Sequence, residues 1–263
     1  MKMPITLSIA GSGPSAGAGI QQDLKVFTRF GCYGTTVATA ITSQNTMGVQ
    51  DVFALPPQVV KSQLESLFAD LDISAVKIGQ IPNPEVARVV IDQLSQHDLP
   101  IVLDPVMIST SGRRLMEEDC IELLQAELFP RCALVTPNLP ETEHLVGRRL
   151  EDSDAIYDAG YQLVEEYHCN FLIKGGHLDG DQSVDTLFTT NEESFEYFSP
   201  RIKTRNLHGT GCALSSAVAS HLALGESLPD AVYGAVQFVH EAIASAVDFQ
   251  IGHGNGPINV MEA

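Results

Sequence analysis

The chain has 263 residues, 44% of them hydrophobic, and a formal net charge of -18 from 33 acidic and 15 basic side chains. That length suits one large α/β domain with a substantial core, while the acidity argues against a nucleic-acid or anionic-membrane surface, both of which select basic patches. No apolar run is long enough to span a bilayer, so neither nucleic acid nor membrane is expected as a partner. The short apolar stretch near the N-terminus alternates like a strand and runs straight into glycines, so it does not read as an export signal. Cys32, Cys120, Cys132, Cys169 and Cys212 are scattered without CxxC spacing, which suggests neither a disulfide framework nor a zinc site and fits a cytoplasmic location.

In chain order, ITLSIA (5–10) reads as a first strand, and Ile20, Leu24, Phe27 and Phe30 then repeat at helical spacing after a glycine-rich turn. The same unit returns as SAVKIG before a helix over 82–94, IVLDPV before a helix over 118–128, and ALVTPN before NLPETEHLV. This alternation predicts an α/β fold with a mostly parallel central sheet and helices on both faces. From Asn170 the runs FLIKGG, SVDTLFTT and SFEYFSP are separated by short polar turns, which predicts an antiparallel edge. A glycine pair then opens a small-residue helix, and a long amphipathic helix is expected over about 229–249. With no repeat, linker or low-complexity tract, residues 1–263 read as a single domain. Ligands of doubly wound sheets bind outside the carboxyl ends of the parallel strands. That rule collects residues 11–19, 77–80, 104–112, 138–141 and 174–177 on one rim.

The segment HGTGCALSSA is the most informative. Gly209 and Gly211 flank Thr210 just before a helix, so the backbone amides of 209–212 can converge on an anion at the positive helix end. Such a nest would stabilise charge on a transferring phosphoryl group, and Cys212 at that position is expected to have a lowered thiol pKa. The same residues read equally well as a tight packing turn with Cys212 as a small buried hydrophobe. AGSGPSAGAGI (10–20) allows a ligand to approach the backbone, yet lacks the GK[ST] of a P-loop and misses the GxGxxG register. Asn138 can cap the helix opened by NLPE, and Glu141 either completes that cap or holds a magnesium ion through water. Asp104, ending IVLD, either shares that ion or caps a turn before Pro105. Lys174, beside two glycines at a strand end, suits a cation aimed at a β- or γ-phosphate. His177 and His208 read as hydrogen-bonded structural residues, and no Ser-His-Asp order or HExxH supports a hydrolase.

Taken together, GAGIQQDLK (17–25), TSQNTMGV (42–49), VKIG (76–79), LDPVM (103–107), SG (111–112), VTPNLPE (135–141), KGGH (174–177), VD (184–185) and HGTGC (208–212) are highly specific. Carrying them in this order, the whole chain resembles the hydroxymethylpyrimidine and phosphomethylpyrimidine kinases of thiamine biosynthesis, members of the ribokinase-like superfamily. The resemblance implies a three-layer sandwich, usually homodimeric, with ATP as cosubstrate and Mg²⁺ as cofactor. It implies that Gln44 hydrogen-bonds an aminopyrimidine, that the backbone of Ala18 and Gly19 lines the ring, and that Asp23, Gln80 and Val106 lie at the same pocket. Asn138, Asp104 and Lys174 would serve the nucleotide phosphates and Glu141 the metal. Gly209, Thr210, Gly211 and Cys212 would form the anion hole, with Cys212 activating the substrate hydroxyl from an unperturbed thiol pKa of about 8.5. The expected reaction is phosphorylation of 4-amino-5-hydroxymethyl-2-methylpyrimidine, and of its monophosphate to the diphosphate.

Four positions depart from the family pattern. Gly13 stands where an Asp is usual, Ala16 where a Gly is, Gln80 where a Met follows KIG, and Leu207 where a Thr precedes HGTGC. They leave a pyridoxal, pyridoxine or pyridoxamine kinase on the same scaffold as the alternative. A catalytically silent pyrimidine-binding sensor is disfavoured, because a pure binder needs none of Asp104, Glu141, Lys174 and Cys212.

Overall fold

A parallel strand in mid-sheet is covered on both faces and needs near-continuous apolar sequence, and β1 (Ile5–Ser12) is buried at every position but its two ends. The computed structural model describes residues 3–107, 115–175 and 181–263. Their other strands are β2 (Tyr33–Asn45), β3 (Gly48–Ala54), β4 (Ala75–Ile78), β5 (Ile101–Leu103), β6 (Leu134–Val135), β7 (Phe171–Ile173), β8 (Gln182–Phe188) and β9 (Ser194–Pro200). They form one sheet in the order β3-β2-β1-β4-β5-β6-β7-β8-β9. From β2 to β7 all pairs are parallel, and β8 and β9 add antiparallel strands as expected. A second antiparallel edge was not expected: β3 folds back on β2 as a hairpin, with Asn45 opposite Gly48.

The face carrying α1 (Gly19–Arg29), α7 (Thr210–Ala223) and α8 (Leu228–Ala244) packs on Val102, Leu134 and Leu172. The opposite face carries α2 (Pro57–Phe68), α3 (Pro84–Leu94), α4 (Glu118–Glu127), α5 (Leu139–Val146) and α6 (Ser153–Tyr167). The helix expected from residue 82 starts at Pro84, because Asn83 caps it by accepting from the Val86 N–H at 3.0 Å. The last helix ends at Ala244, short of the expected 249.

Helix α7 positions the site. Residues 213–220 are all buried and mostly Ala or Ser, so the helix axis can approach the sheet closely. Ser215 donates to the Gly211 carbonyl at 2.9 Å and Ser220 to the Ser216 carbonyl at 2.8 Å, which satisfies both hydroxyls without a partner outside the helix.

Candidate active site

A cavity of about 1160 Å³ opens at the carboxyl ends of the parallel strands. Among its lining residues are Ala18, Gly19, Gln44, Gln80, Asp104, Val106, Asn138, Glu141, Lys174 and the run Gly209, Thr210, Gly211, Cys212. The expected rim is therefore present, although residues 108–112 and 176–177, with His177, lie outside the described residues.

Two glycine loops meet at its wall. Gly209, the N-cap of α7, has φ 87°, and a Cβ there would sit 1.9 Å from the Gly17 carbonyl oxygen. A Cβ on Gly17 would lie 2.6 Å from His208 Cδ2. Only bare backbone fits, so the first turn of α7, with its N–H groups lacking intrahelical acceptors, is brought against the Gly-rich loop. A Cβ on Gly211 would come 3.2 Å from Asp104 Oδ2 and 3.5 Å from Lys174 Nζ, which puts that pair at the mouth of the nest.

Lys174 Nζ donates to Asp104 Oδ1 at 2.8 Å, and Thr136 Oγ1 donates to the same oxygen at 3.3 Å. Burial works against the Lys174 charge, but the carboxylates of Asp104 and Glu141 outweigh it and hold the ammonium above its usual pKa. The Lys174 N–H donates to the Pro137 carbonyl at 3.0 Å, and a parallel bridge joins Asn138 to Lys174.

Asn138 and Glu141 form a reciprocal cap: Asn138 Oδ1 accepts from the Glu141 N–H at 2.9 Å, and Glu141 Oε2 accepts from the Asn138 N–H at 2.8 Å. Capping does not exhaust Glu141. Burial pushes its carboxyl up to about 7, opposed by Lys174 and reinforced by Asp104. A buried carboxyl pushed up in part by a second carboxylate, beside an anion nest, suits a hard cation, which would draw the proton off Glu141. Among the described residues no group of three or more His, Cys, Asp or Glu side chains could hold a metal. A magnesium ion here would rely on water and phosphate for most of its ligands.

Two expectations are corrected. Asp23, expected at the ring pocket, does not line the cavity: it is fully buried beneath it, where it pairs with Lys77 and accepts from Ser8 Oγ at 2.5 Å and Ser216 Oγ at 2.8 Å. Cys212 was expected to have a lowered thiol pKa. Its thiol is raised, because burial dominates; the Lys77 cation and the Gly19 N–H pull it back, while Asp23 and Asp104 push it further up.

Sequence reasoning gave no ligand role to several cavity residues, among them Lys77, which it had only collected on the rim. Lys77 lines the cavity from a strand that is otherwise apolar. His208, read as structural, also lines it, and its Nε2 stands 3.3 Å from Gln44 Nε2. Burial lowers the His208 pKa, so the neutral ring can accept from that amide and leave Gln44 Oε1 for a ligand. At the far end Ile202, Leu207, Val236, Val239, His240 and Ile243 form a mostly apolar slot. The signal for it was present: 236, 239, 240 and 243 lie on one face of α8.

This geometry has counterparts among known proteins. The family model described as phosphomethylpyrimidine kinase matches residues 13–259. The hydroxymethylpyrimidine/phosphomethylpyrimidine kinase of Rhizobium meliloti is 42% identical over 256 residues, covering 97% of this chain and 96% of the relative. A solved phosphomethylpyrimidine kinase from Clostridium difficile superposes with TM-score 0.81 at 40% identity, covering 91% of this chain and 99% of that one. The ADP complex of Bacillus subtilis pyridoxal kinase superposes with TM-score 0.91 at 30% identity, covering 99% of this chain and 98% of that one. The sandwich is thus ribokinase-like, and with a family match that runs from within the first glycine loop through the Asn138–Glu141 cap and past the second loop, the chain belongs to the phosphomethylpyrimidine kinase family.

Proposed function

We propose that this protein transfers the γ-phosphoryl group of ATP to the hydroxymethyl group of 4-amino-5-hydroxymethyl-2-methylpyrimidine, and to the resulting monophosphate, in thiamine biosynthesis. The observation that carries this reading is the Asp104–Lys174 pair held against Gly211 at the open end of α7, where charge on a transferring phosphoryl group would develop. The slot on α8 receives the adenine, and Asn138, Asp104 and Lys174 face the phosphates. The ring lies between the backbone of Ala18 and Gly19 and the side chains of Gln44, Gln80 and Val106.

The substrate oxygen attacks the γ-phosphorus, the bond to the β–γ bridging oxygen breaks, and the amides of Gly209, Thr210, Gly211 and Cys212 receive the equatorial charge. Cys212, as thiolate, takes the hydroxyl proton. Its raised pKa limits that fraction, but in a loose transition state the proton leaves late, from an oxygen already made acidic by the forming bond. Glu141 would hold Mg²⁺ through water, and Asp104 would share it. When bound, that ion neutralises charge between the β- and γ-phosphates.

The whole chain acts as one kinase domain in this reading, since one sheet runs through it. A cytoplasmic location is consistent with five free cysteines, four of them buried. No helix among the described residues is long and apolar enough to cross a membrane. A homodimer is supported by exposed apolar side chains on the β2–β3 hairpin, where Ile41 (45% exposed) and Phe53 (63%) are cross-strand partners and Met47 (67%) is at the tip. Light scattering on wild type and Phe53→Glu tests it: a monomeric wild type removes the dimer.

The activity is tested by ADP release with Mg²⁺-ATP, supplying hydroxymethylpyrimidine and pyridoxal in parallel and identifying products by mass. Phosphorylated pyrimidine is the expected product. Preference for pyridoxal would move the assignment to the second reading, which the superposition on pyridoxal kinase favours.

A further inference from the structure

Residues 252–258, GHGNGPI, follow α8 as a loop that joins two parts of the cavity wall. Three consecutive backbone N–H groups of this loop end on one residue. The His253 and Gly254 N–H groups each donate to Thr46 Oγ1 at 3.2 Å, and the Asn255 N–H donates to the Thr46 carbonyl at 3.0 Å. The approach leaves no room for side chains: a Cβ on Gly252 would lie 2.2 Å from Thr46 Oγ1, and one on Gly254 would lie 1.9 Å from the Thr46 carbonyl oxygen. Further along, the Gly256 carbonyl accepts from the His208 N–H at 3.0 Å, and the Ile258 N–H donates to the His208 carbonyl at 3.3 Å.

Both anchor points adjoin the site. Thr46 lies two positions beyond Gln44, just past the end of β2, and His208 precedes Gly209 and stands 3.3 Å from Gln44, Nε2 to Nε2. The loop therefore ties together, through backbone, the two chain segments that meet in the Gln44–His208 contact. His253 and Asn255 are exposed, and N–H groups at a surface can be satisfied by water. Directing three of them at Thr46 is not needed for their own sake, and it fixes the end of the strand that carries Gln44.

We propose that Thr46 and Gly254 are positioning residues: the loop 252–258 clasps the end of β2, with Thr46 Oγ1 as the acceptor and Gly254 as the gap that lets the clasp close, so that the Gln44 amide is held toward the ring beside His208. The proposal rests on the kinase reading above and deepens it. Neither residue acts on the substrate directly. Gly254 is not among the described residues that line the cavity, so a change there reaches the ring through Thr46 and Gln44.

The test is calorimetric titration of hydroxymethylpyrimidine and, in parallel, pyridoxal, without nucleotide, into wild type, Thr46→Val, Thr46→Ser and Gly254→Ala, each variant also made together with Gln44→Ala. Thr46→Val keeps the shape of the side chain and removes the acceptor, and should bind the preferred ring roughly tenfold more weakly, the effect of about one hydrogen bond. Gly254→Ala should lose as much, whereas Thr46→Ser, which keeps the oxygen, should bind as wild type does. With Gln44 already replaced, neither Thr46→Val nor Gly254→Ala should weaken binding further, because the group they position is gone. Affinity for a non-hydrolysable ATP analogue should be unchanged throughout. Three results would overturn the proposal: additive losses in the Gln44→Ala background, a loss in Thr46→Ser equal to that in Thr46→Val, or a lower melting temperature with no change in ring affinity. Each would reduce the loop to packing or Thr46 to a direct contact. Should Gly254→Ala not fold, Thr46→Val and its double variant with Gln44→Ala decide alone. Wild type binding neither ring would sink the kinase reading and the proposal with it; wild type that binds while the single variants bind equally well sinks the proposal alone.

Discussion

Lys77 and Asp23 form an ion pair in which both side chains are fully buried, with Nζ 3.0 Å from Oδ1 and 2.9 Å from Oδ2. Ser8 and Ser216 donate to the same carboxylate, so β1, β4, α1 and α7 meet at one charged point beneath the cavity. Removing one partner strands the other. Lys77→Met should lower unfolding free energy by about 3–5 kcal/mol in urea denaturation, and Lys77→Met with Asp23→Leu should recover most of it. A double variant no more stable than the single one would mean that stability here does not depend on matching the charges.

Cys212→Ala should lower kcat by about two to four orders of magnitude while leaving ring affinity unchanged, the signature of a group used in proton transfer. Gln44→Ala should do the reverse and chiefly raise KM. Because burial holds the Cys212 thiol up, wild-type kcat should climb with pH above neutrality, and that climb should vanish in the alanine variant. An undiminished turnover in Cys212→Ala would remove the thiol from the mechanism.

Glu141 makes stability depend on pH in a definite direction. Its carboxyl titrates at about 7 in the folded chain against an ordinary 4.5, so between those values the folded state holds the extra proton. Its contribution is complete below about 4.5 and is lost as pH rises through about 7. Urea midpoints measured from pH 4.5 to 7.5 should therefore fall more steeply in wild type than in Glu141→Gln. Binding of Mg²⁺-ATP at pH 7 should release roughly half a proton from this site, read by calorimetry in buffers of different ionisation enthalpy. Equal release from Glu141→Gln would assign the proton elsewhere.

Gly209 and Gly225 share φ 87°, but only the former is crowded: a Cβ on Gly225 meets nothing within 4 Å. Gly225→Ala should cost about 1–2 kcal/mol, the left-handed penalty alone, and leave activity intact. Gly209→Ala adds a collision with the Gly17 carbonyl and should abolish turnover as well as lower the melting temperature. Similar losses in both variants would show that backbone strain and not loop contact matters.

Strands β1, β4, β5 and β6 were legible because burial on both faces demands apolar runs, and the glycines and polar residues that end them mark the rim. The hairpin of β2 and β3 was not, since YGTTVATAITSQN mixes Thr and Gly with its apolar residues and no residue of GVQDVFA is buried. Asp23 was misplaced although its surroundings gave a clue: it shares the buried face of α1 with Val26 and Phe27. A lysine inside SAVKIG, equally, demands a buried carboxylate. The direction of the Cys212 shift had no such sign, because desolvation is set by what the fold packs around a residue, whereas helix position alone suggested the opposite.

In the proposed reading, the close backbone approach of Gly17 and Gly209 joins the loop beside the ring to the turn that receives the phosphates, with no side chain between them. A movement of either loop toward the other would bring the two backbones into collision. Ring and nucleotide should accordingly bind with non-additive free energies, each raising the other's affinity by the same factor. The backbone contact itself is then the communication line between the enzyme's two substrates.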